Sequence, residues 1–145
     1  MQATVDTLLR EEKIHITRVK DLAVAFVTLD DHSRNWFYPR YRDGRIHEPA
    51  ASEAIVESLG PGKVFVDVGA HLGYFSCLAA AAGAEVFSIE MQRSLLPLIE
   101  ENARFNGMDQ VHVISAAVSD EVGFLSYHRR GQCPGKRVQE SCAEG

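Results

Sequence analysis

Cysteine is scarce here and wrongly spaced for metal or disulfide chemistry. The 145 residues hold three, Cys77, Cys133 and Cys142, with no C-x-x-C pair. That excludes a disulfide framework and a thiolate zinc site, and the chain reads as cytoplasmic and reduced. The histidines, His15, His32, His47, His71, His112 and His128, show no i,i+4 spacing, so no metal site is predicted. A basic segment followed by an apolar core is missing from the start, so no signal peptide is predicted. No apolar run approaches the roughly 20 residues that cross a bilayer, which excludes a membrane partner. Positive charge is also short: 15 Lys and Arg face 20 Asp and Glu, for a net charge of -5. That balance predicts no nucleic-acid partner. There is no nucleophile elbow, no internal repeat and no low-complexity tract.

The residues present describe one domain, 46% apolar. Loose alternation over 14–29 predicts two strands turning near Lys20-Asp21, and Trp36-Phe37-Tyr38 predicts another short strand. Arg40–His47 is charged and reads as loop. A helix is predicted over 49–59, with Pro49 in its first turn and Gly60-Pro61-Gly62 as its end. Then come a strand over 63–68, a helix over 73–82 stopped by Gly83, and a strand over 85–89. A helix from Ser94, the predicted N-cap, to Phe105 leads to a strand over 111–115. Another strand is predicted at 123–127. The near-continuous apolar character of 63–68 predicts a strand covered on both faces. Strand and helix alternate, the order of a parallel α/β sheet. Residues 1–48 read as a β-rich extension, 49–127 as the domain, and 128–145 as a disordered tail.

The chemistry gathers at Asp67-Val-Gly69-Ala70-His71-Leu-Gly73, where an apolar strand turns into a helix start. Glycine allows positive φ and close approach of a ligand. The helix N-terminus presents unpaired N–H donors. Glu90 ends the next strand, where a carboxylate accepts hydrogen bonds from ribose hydroxyls. Ala116-Ala117, after the third strand, leaves room for a flat ring. The dinucleotide fingerprint G-x-G-x-x-G is incomplete, because His71 occupies its second glycine position and would crowd a pyrophosphate. That disfavours an NAD-dependent oxidoreductase. The pattern suits a ligand with an amino-acid end and an adenosine end, S-adenosylmethionine.

The run Val66-Asp67-Val68-Gly69-Ala70-His71-Leu72-Gly73-Tyr74-Phe75-Ser76 resembles the first motif of class I methyltransferases in its FkbM-type form. The likeness extends over roughly 45–127, through Phe87-Ser-Ile-Glu90, Asn102-Ala-Arg-Phe-Asn106-Gly107 and Ala116-Ala-Val-Ser119-Asp120. It implies a Rossmann-like α/β fold, here truncated after its third strand, with an N-terminal β-hairpin extension. It implies that Gly69, Ala70 and Gly73 line the methionine part of S-adenosylmethionine, with Asp67 near its amino group. His71, where the family often has Asn, belongs to the same turn. Glu90 would hold the ribose, with Met91 and Ala117 beside the adenine. The activity implied is O-methylation of a hydroxyl on a small-molecule acceptor such as a sugar or polyketide, and no catalytic base is assigned. The other reading is a fragment that binds cofactor weakly or not at all. In the implied strand order 3-2-1-4, the strand over 63–68 loses a neighbour, and the chain is predicted either to self-associate through that bare edge or to borrow cover from its N-terminal strands.

Overall fold

The computed structural model describes residues 13–123. β1 (Ile14–Val19) and β2 (Leu22–Val27) form an antiparallel hairpin turning at Lys20-Asp21. Val19, Val24 and Phe26 point into the core. The outer edge of β2 pairs with side chains in place of a strand. The Val27 N–H donates to Asn102 Oδ1 at 2.8 Å, and the Ala25 N–H to Asn106 Oδ1 at 3.0 Å. Asn106 Nδ2 returns a bond to the Ala25 carbonyl at 2.7 Å. Two amides one helical turn apart thus satisfy main-chain groups of an edge that burial would otherwise leave unpaired.

Trp36-Phe37-Tyr38 is not a strand. Residues Ser33–Phe37 make a π-helical turn, and Tyr38–Tyr41 a 3-10 turn. Asp30 Oδ1 accepts the Ser33 N–H at 2.8 Å and starts the turn. Arg34 donates to the Thr28 and Leu29 carbonyls and fixes it. Helical spacing then sets Phe37 and Tyr38 into the core, with Tyr41 against it. The ring of Phe26 lies between those of Tyr38 and Tyr74, each at 5.3 Å.

Helix α1 (Pro49–Ser58) begins at Pro49, as predicted. The β-α-β-α-β run then follows: β3 (Val64–Val68), α2 (Tyr74–Ala81), β4 (Glu85–Glu90), α3 (Leu96–Phe105) and β5 (Val111–Ser115). Ser94 is not the cap of α3; the helix starts at Leu96 after a turn, with Pro97 near its beginning, where a missing N–H costs no intrahelical bond. The predicted strand at 123–127, beyond Gly123, and the tail from 128 lie outside the described residues.

Among the described residues the three strands of this sheet are parallel, in the order β3-β4-β5, with β3 at the edge of that set. α2 packs against both this sheet and β2 of the hairpin. Its run of small residues explains how: Ser76, Cys77, Ala79 and Ala80 are all buried, so two layers approach one short helix closely.

The predicted burial of β3 on both faces is corrected. Asp67 points under α2, but Val64, Val66 and Val68 are 61%, 53% and 58% exposed. One apolar run serves a strand that these residues cover on one face only.

Candidate functional site

The carboxyl ends of β3, β4 and β5 converge, and each is followed by a turn. After β3, the Gly69 and Ala70 N–H groups both donate to the Ile89 carbonyl, at 2.8 and 3.1 Å. Gly69 has φ +79°, which a side chain rarely adopts. His71 has φ +55° despite its side chain. Its N–H donates to Glu90 Oε2 at 2.9 Å. Glu90 Oε1 accepts the Gln92 N–H at 2.8 Å. The Glu90 carbonyl accepts the Ala116 N–H at 3.3 Å. One buried residue therefore ties together the turns after all three strands.

A cleft of about 470 Å³ opens at this point. Its β3 side is Val68, Gly69 and His71; its β4 side is Ile89, Glu90, Met91 and Gln92. Ala116, Ala117 and Val118 close the β5 side. Among the described residues the lining is mostly apolar or small, with the Glu90 carboxylate in its middle, the make-up of a small-ligand site. Each oxygen of the Glu90 carboxylate has a lone pair beyond the one its N–H donor uses.

The eight residues singled out from the sequence divide into two sets. Gly69, His71, Glu90, Met91 and Ala117 line the cleft. Asp67, Ala70 and Gly73 stand behind it. Asp67 is buried and accepts the Ser76 hydroxyl at 2.6 Å, and Ser76 Oγ in turn accepts from Ser88 Oγ at 2.6 Å. Burial pushes the Asp67 carboxyl above the usual range, against the opposing pull of its Ser76 bonds. Ala70 is buried. Gly73 precedes α2 with φ +76°, and a Cβ there would lie 3.0 Å from Ile99 Cγ2.

The wall beside His71 comes from a segment that sequence reasoning treated as strand and loop. The His32 ring meets the His71 ring edge-on at 4.9 Å, and Phe37 lies 5.6 Å from it. Burial lowers the His71 pKa, and the neighbouring His32 adds to that. His47 bonds the Tyr41 hydroxyl through Nδ1 at 2.7 Å, and its N–H donates to Tyr74 Oη at 3.2 Å. The spacing of Phe37 and Tyr41 at i,i+4 was the signal for this helical wall. Among the described residues no group of three or more His, Cys, Asp or Glu is placed to hold a metal. None of their helices is long and apolar enough to cross a membrane.

No family model and no curated protein matches the chain. Solved structures do resemble it. TYW2 from Pyrococcus horikoshii, in complex with MeSAdo, is 15% identical with a TM-score of 0.50, over 77% of this chain and 39% of that one. A SAM-dependent methyltransferase from Agrobacterium tumefaciens is 19% identical with a TM-score of 0.49, over 71% of this chain and 32% of that one. The Pyrococcus abyssi tRNA (uracil-54, C5)-methyltransferase, in complex with S-adenosyl-L-homocysteine, is 17% identical with a TM-score of 0.47, over 74% and 24%. The chain spans less than half the length of each.

The prediction that nucleic acid is excluded as a partner is withdrawn, because structures similar to this chain include a tRNA methyltransferase. The physical fault in that prediction is averaging. A net charge of -5 describes the whole chain, whereas Arg34, Arg40, Arg42 and Arg45 fall close together in one segment. The element order and parallel sheet, with the likeness to these solved structures, give the fold: it is a Rossmann-like α/β fold.

Proposed function

We propose that this chain contributes the S-adenosylmethionine-binding part of a methyltransferase. The observation that carries this reading is Glu90, a buried carboxylate at the end of β4 whose position is fixed by the N–H groups of His71 and Gln92. A carboxylate held this way faces ribose hydroxyls without reorganising. The residues present fit the cofactor. At Gly69 a Cβ would meet nothing within 4 Å, so the turn leaves open space toward the cleft. Ala116 and Ala117 leave a shallow wall for adenine opposite Met91. When bound, S-adenosylmethionine supplies an electrophilic methyl group on a sulfonium.

The protein's own part is positional. Glu90 orients the ribose, the Gly69 turn admits the methionine end, and Met91 with Ala117 excludes water from the adenine faces. Asp67 supports this arrangement through Ser76, holding the first turn of α2 from below. The FkbM-type resemblance supports a hydroxyl oxygen as the methyl acceptor.

Calorimetric titration of the purified chain with S-adenosylhomocysteine tests the reading, with NAD as the competing ligand and Glu90→Ala as the variant. Micromolar binding, weakened at least tenfold in the variant, is expected. Absence of binding by a chain that circular dichroism shows to be folded would overturn it, as would tighter binding of NAD.

A further inference from the structure

Tyr41, His47 and Glu48 stand in a row. Tyr41 Oη lies 2.7 Å from His47 Nδ1. Glu48 Oε1 lies 3.8 Å from Nε2, the other ring nitrogen. A carboxylate on that side favours the tautomer with its proton on Nε2, which leaves Nδ1 to accept the Tyr41 O–H. The main chain holds the row in place. The His47 N–H donates to Tyr74 Oη at 3.2 Å, and the His47 carbonyl accepts the Ser52 hydroxyl at 2.6 Å. Glu48 has φ +43°, which a side chain rarely adopts, and its carbonyl accepts the N–H of the same buried serine at 2.9 Å. Burial lowers the His47 pKa, Glu48 opposes that and Arg40 adds to it, so the imidazole is neutral at pH 7. Burial raises the Tyr41 pKa. Arg40 and Arg45 pull the other way, Tyr74 and Glu48 add to the rise, and the phenol keeps its proton.

A hydroxyl, a neutral imidazole and a carboxylate in this order can pass a proton inward. Phe37 links the row to the cleft. Its ring lies 5.4 Å from Tyr41, 5.1 Å from His47 and 5.6 Å from His71, which lines the cleft. We propose that Tyr41, His47 and Glu48 form a proton relay for the methyl-accepting hydroxyl. The acceptor O–H bonds to a lone pair of Tyr41 Oη. The acceptor oxygen bonds the methyl carbon, and the carbon–sulfur pair stays on sulfur. The acceptor proton passes to Tyr41 Oη as the Tyr41 proton passes to His47 Nδ1. The imidazolium so formed faces Glu48 and later releases its proton to water. The word acceptor rests on the methyltransferase reading; the relay rests on the row alone.

The test uses p-nitrophenyl acetate, which reports a phenol able to hand its proton to a base. The Tyr41 oxygen bonds the acetyl carbon, p-nitrophenolate leaves, and the phenolic proton goes to His47. Peptide mass spectrometry follows acetylation of Tyr41 from pH 5 to pH 10, with N-acetyltyrosinamide as the free phenol. A phenol with a raised pKa and no relay reacts more slowly than the free amide and gains rate only toward pH 10. The relay predicts a rate at pH 7 at least fivefold above that of the free amide, falling in acid through a midpoint below 6.5. His47→Gln should lose at least fivefold, and Glu48→Gln less. The pH profile of the parent decides the matter alone if His47→Gln fails to fold. A rate below that of the free amide, a profile that follows phenol ionisation, or a rate unchanged in His47→Gln would overturn the proposal. Titration of the same protein with S-adenosylhomocysteine separates the two readings. Cofactor binding with a slow Tyr41 sinks only the relay; a fast Tyr41 without cofactor binding sinks only the methyltransferase reading.

Discussion

Glu90 Oε2 accepts the main-chain N–H of His71 at 2.9 Å, bridging the turns after two neighbouring strands. His71 holds φ +55° there, a conformation that costs a side-chain-bearing residue about 1–2 kcal/mol. The hydrogen bond offsets part of that cost. Glu90→Gln keeps an acceptor for one of the two N–H groups and loses the charge. It should fold, melt a few degrees lower, and bind S-adenosylhomocysteine more weakly than the parent but better than Glu90→Ala. Calorimetry on the three proteins checks the order.

The asparagines on α3 should matter more to stability than their type suggests. Asn102 is fully buried and joins the Val27 N–H to the Leu72 carbonyl, at 2.8 and 2.9 Å. Asn102→Ala leaves both groups unpaired, at about 1–3 kcal/mol each. A loss of about 3 kcal/mol is expected in urea unfolding. Asn106→Ala, at a half-buried position, should lose less. Equal and negligible losses would refute the view that these amides hold the hairpin.

The two turn glycines should separate cleanly. Gly73→Ala meets both an unfavourable φ of +76° and a Cβ contact of 3.0 Å with Ile99. Gly69→Ala meets only its φ of +79°. Gly69→Ala should cost about 1 kcal/mol, and Gly73→Ala about 2–3 kcal/mol once the packing conflict is added. Cofactor affinity should rank the other way, because Gly69 faces the cleft and Gly73 does not. Melting and ligand titration on the same pair of variants would settle both rankings.

Reading the fold from the sequence worked where the signal was local. Gly69, Gly73 and Glu90 are spaced by the geometry of one strand-turn-helix-strand unit, so their roles in the turn and at the strand end were visible. Asn102 and Val27 are 75 positions apart, and nothing near either residue announces the other. Trp36-Phe37-Tyr38 has the composition of a strand. Burial against Phe26 and Tyr74, together with the Asp30 and Arg34 bonds, makes it helical. The valines of β3 misled for another reason: an apolar run reads the same whether one face of the strand is covered or both. Asp67 was legible as the acid before the glycine turn, but its partner Ser76 decides that it faces the helix and not the cleft.

Acid should destabilise this protein through its histidines. Burial lowers the folded-state pKa of His15, His47 and His71 below the ordinary 6.5. The unfolded chain therefore binds protons more readily, so stability rises with pH up to about the ordinary value and falls below it. Urea midpoints should drop between pH 7.5 and 5.5, and the drop should shrink in a His71→Asn variant. A midpoint independent of pH over that range would contradict this account.

Cys77 should be chemically silent in the native state. It is fully buried in α2, and burial pushes its thiol up to about 12, so almost no thiolate exists at neutral pH. Iodoacetamide should leave Cys77 unmodified in native protein and alkylate it in urea, as peptide mass spectrometry would show.

Val68 and Ile89 belong to two surfaces at once. They lie on the sheet face opposite α2, and they also line the cleft. Whatever molecule or segment shelters that valine face must also become a wall of the cleft. Burial of that face and retention of a ligand are then coupled through Val68 and Ile89, and each should raise the apparent strength of the other by the same factor. The heat-capacity change on ligand binding would register that shared burial, growing more negative whenever the valines leave water together with the ligand.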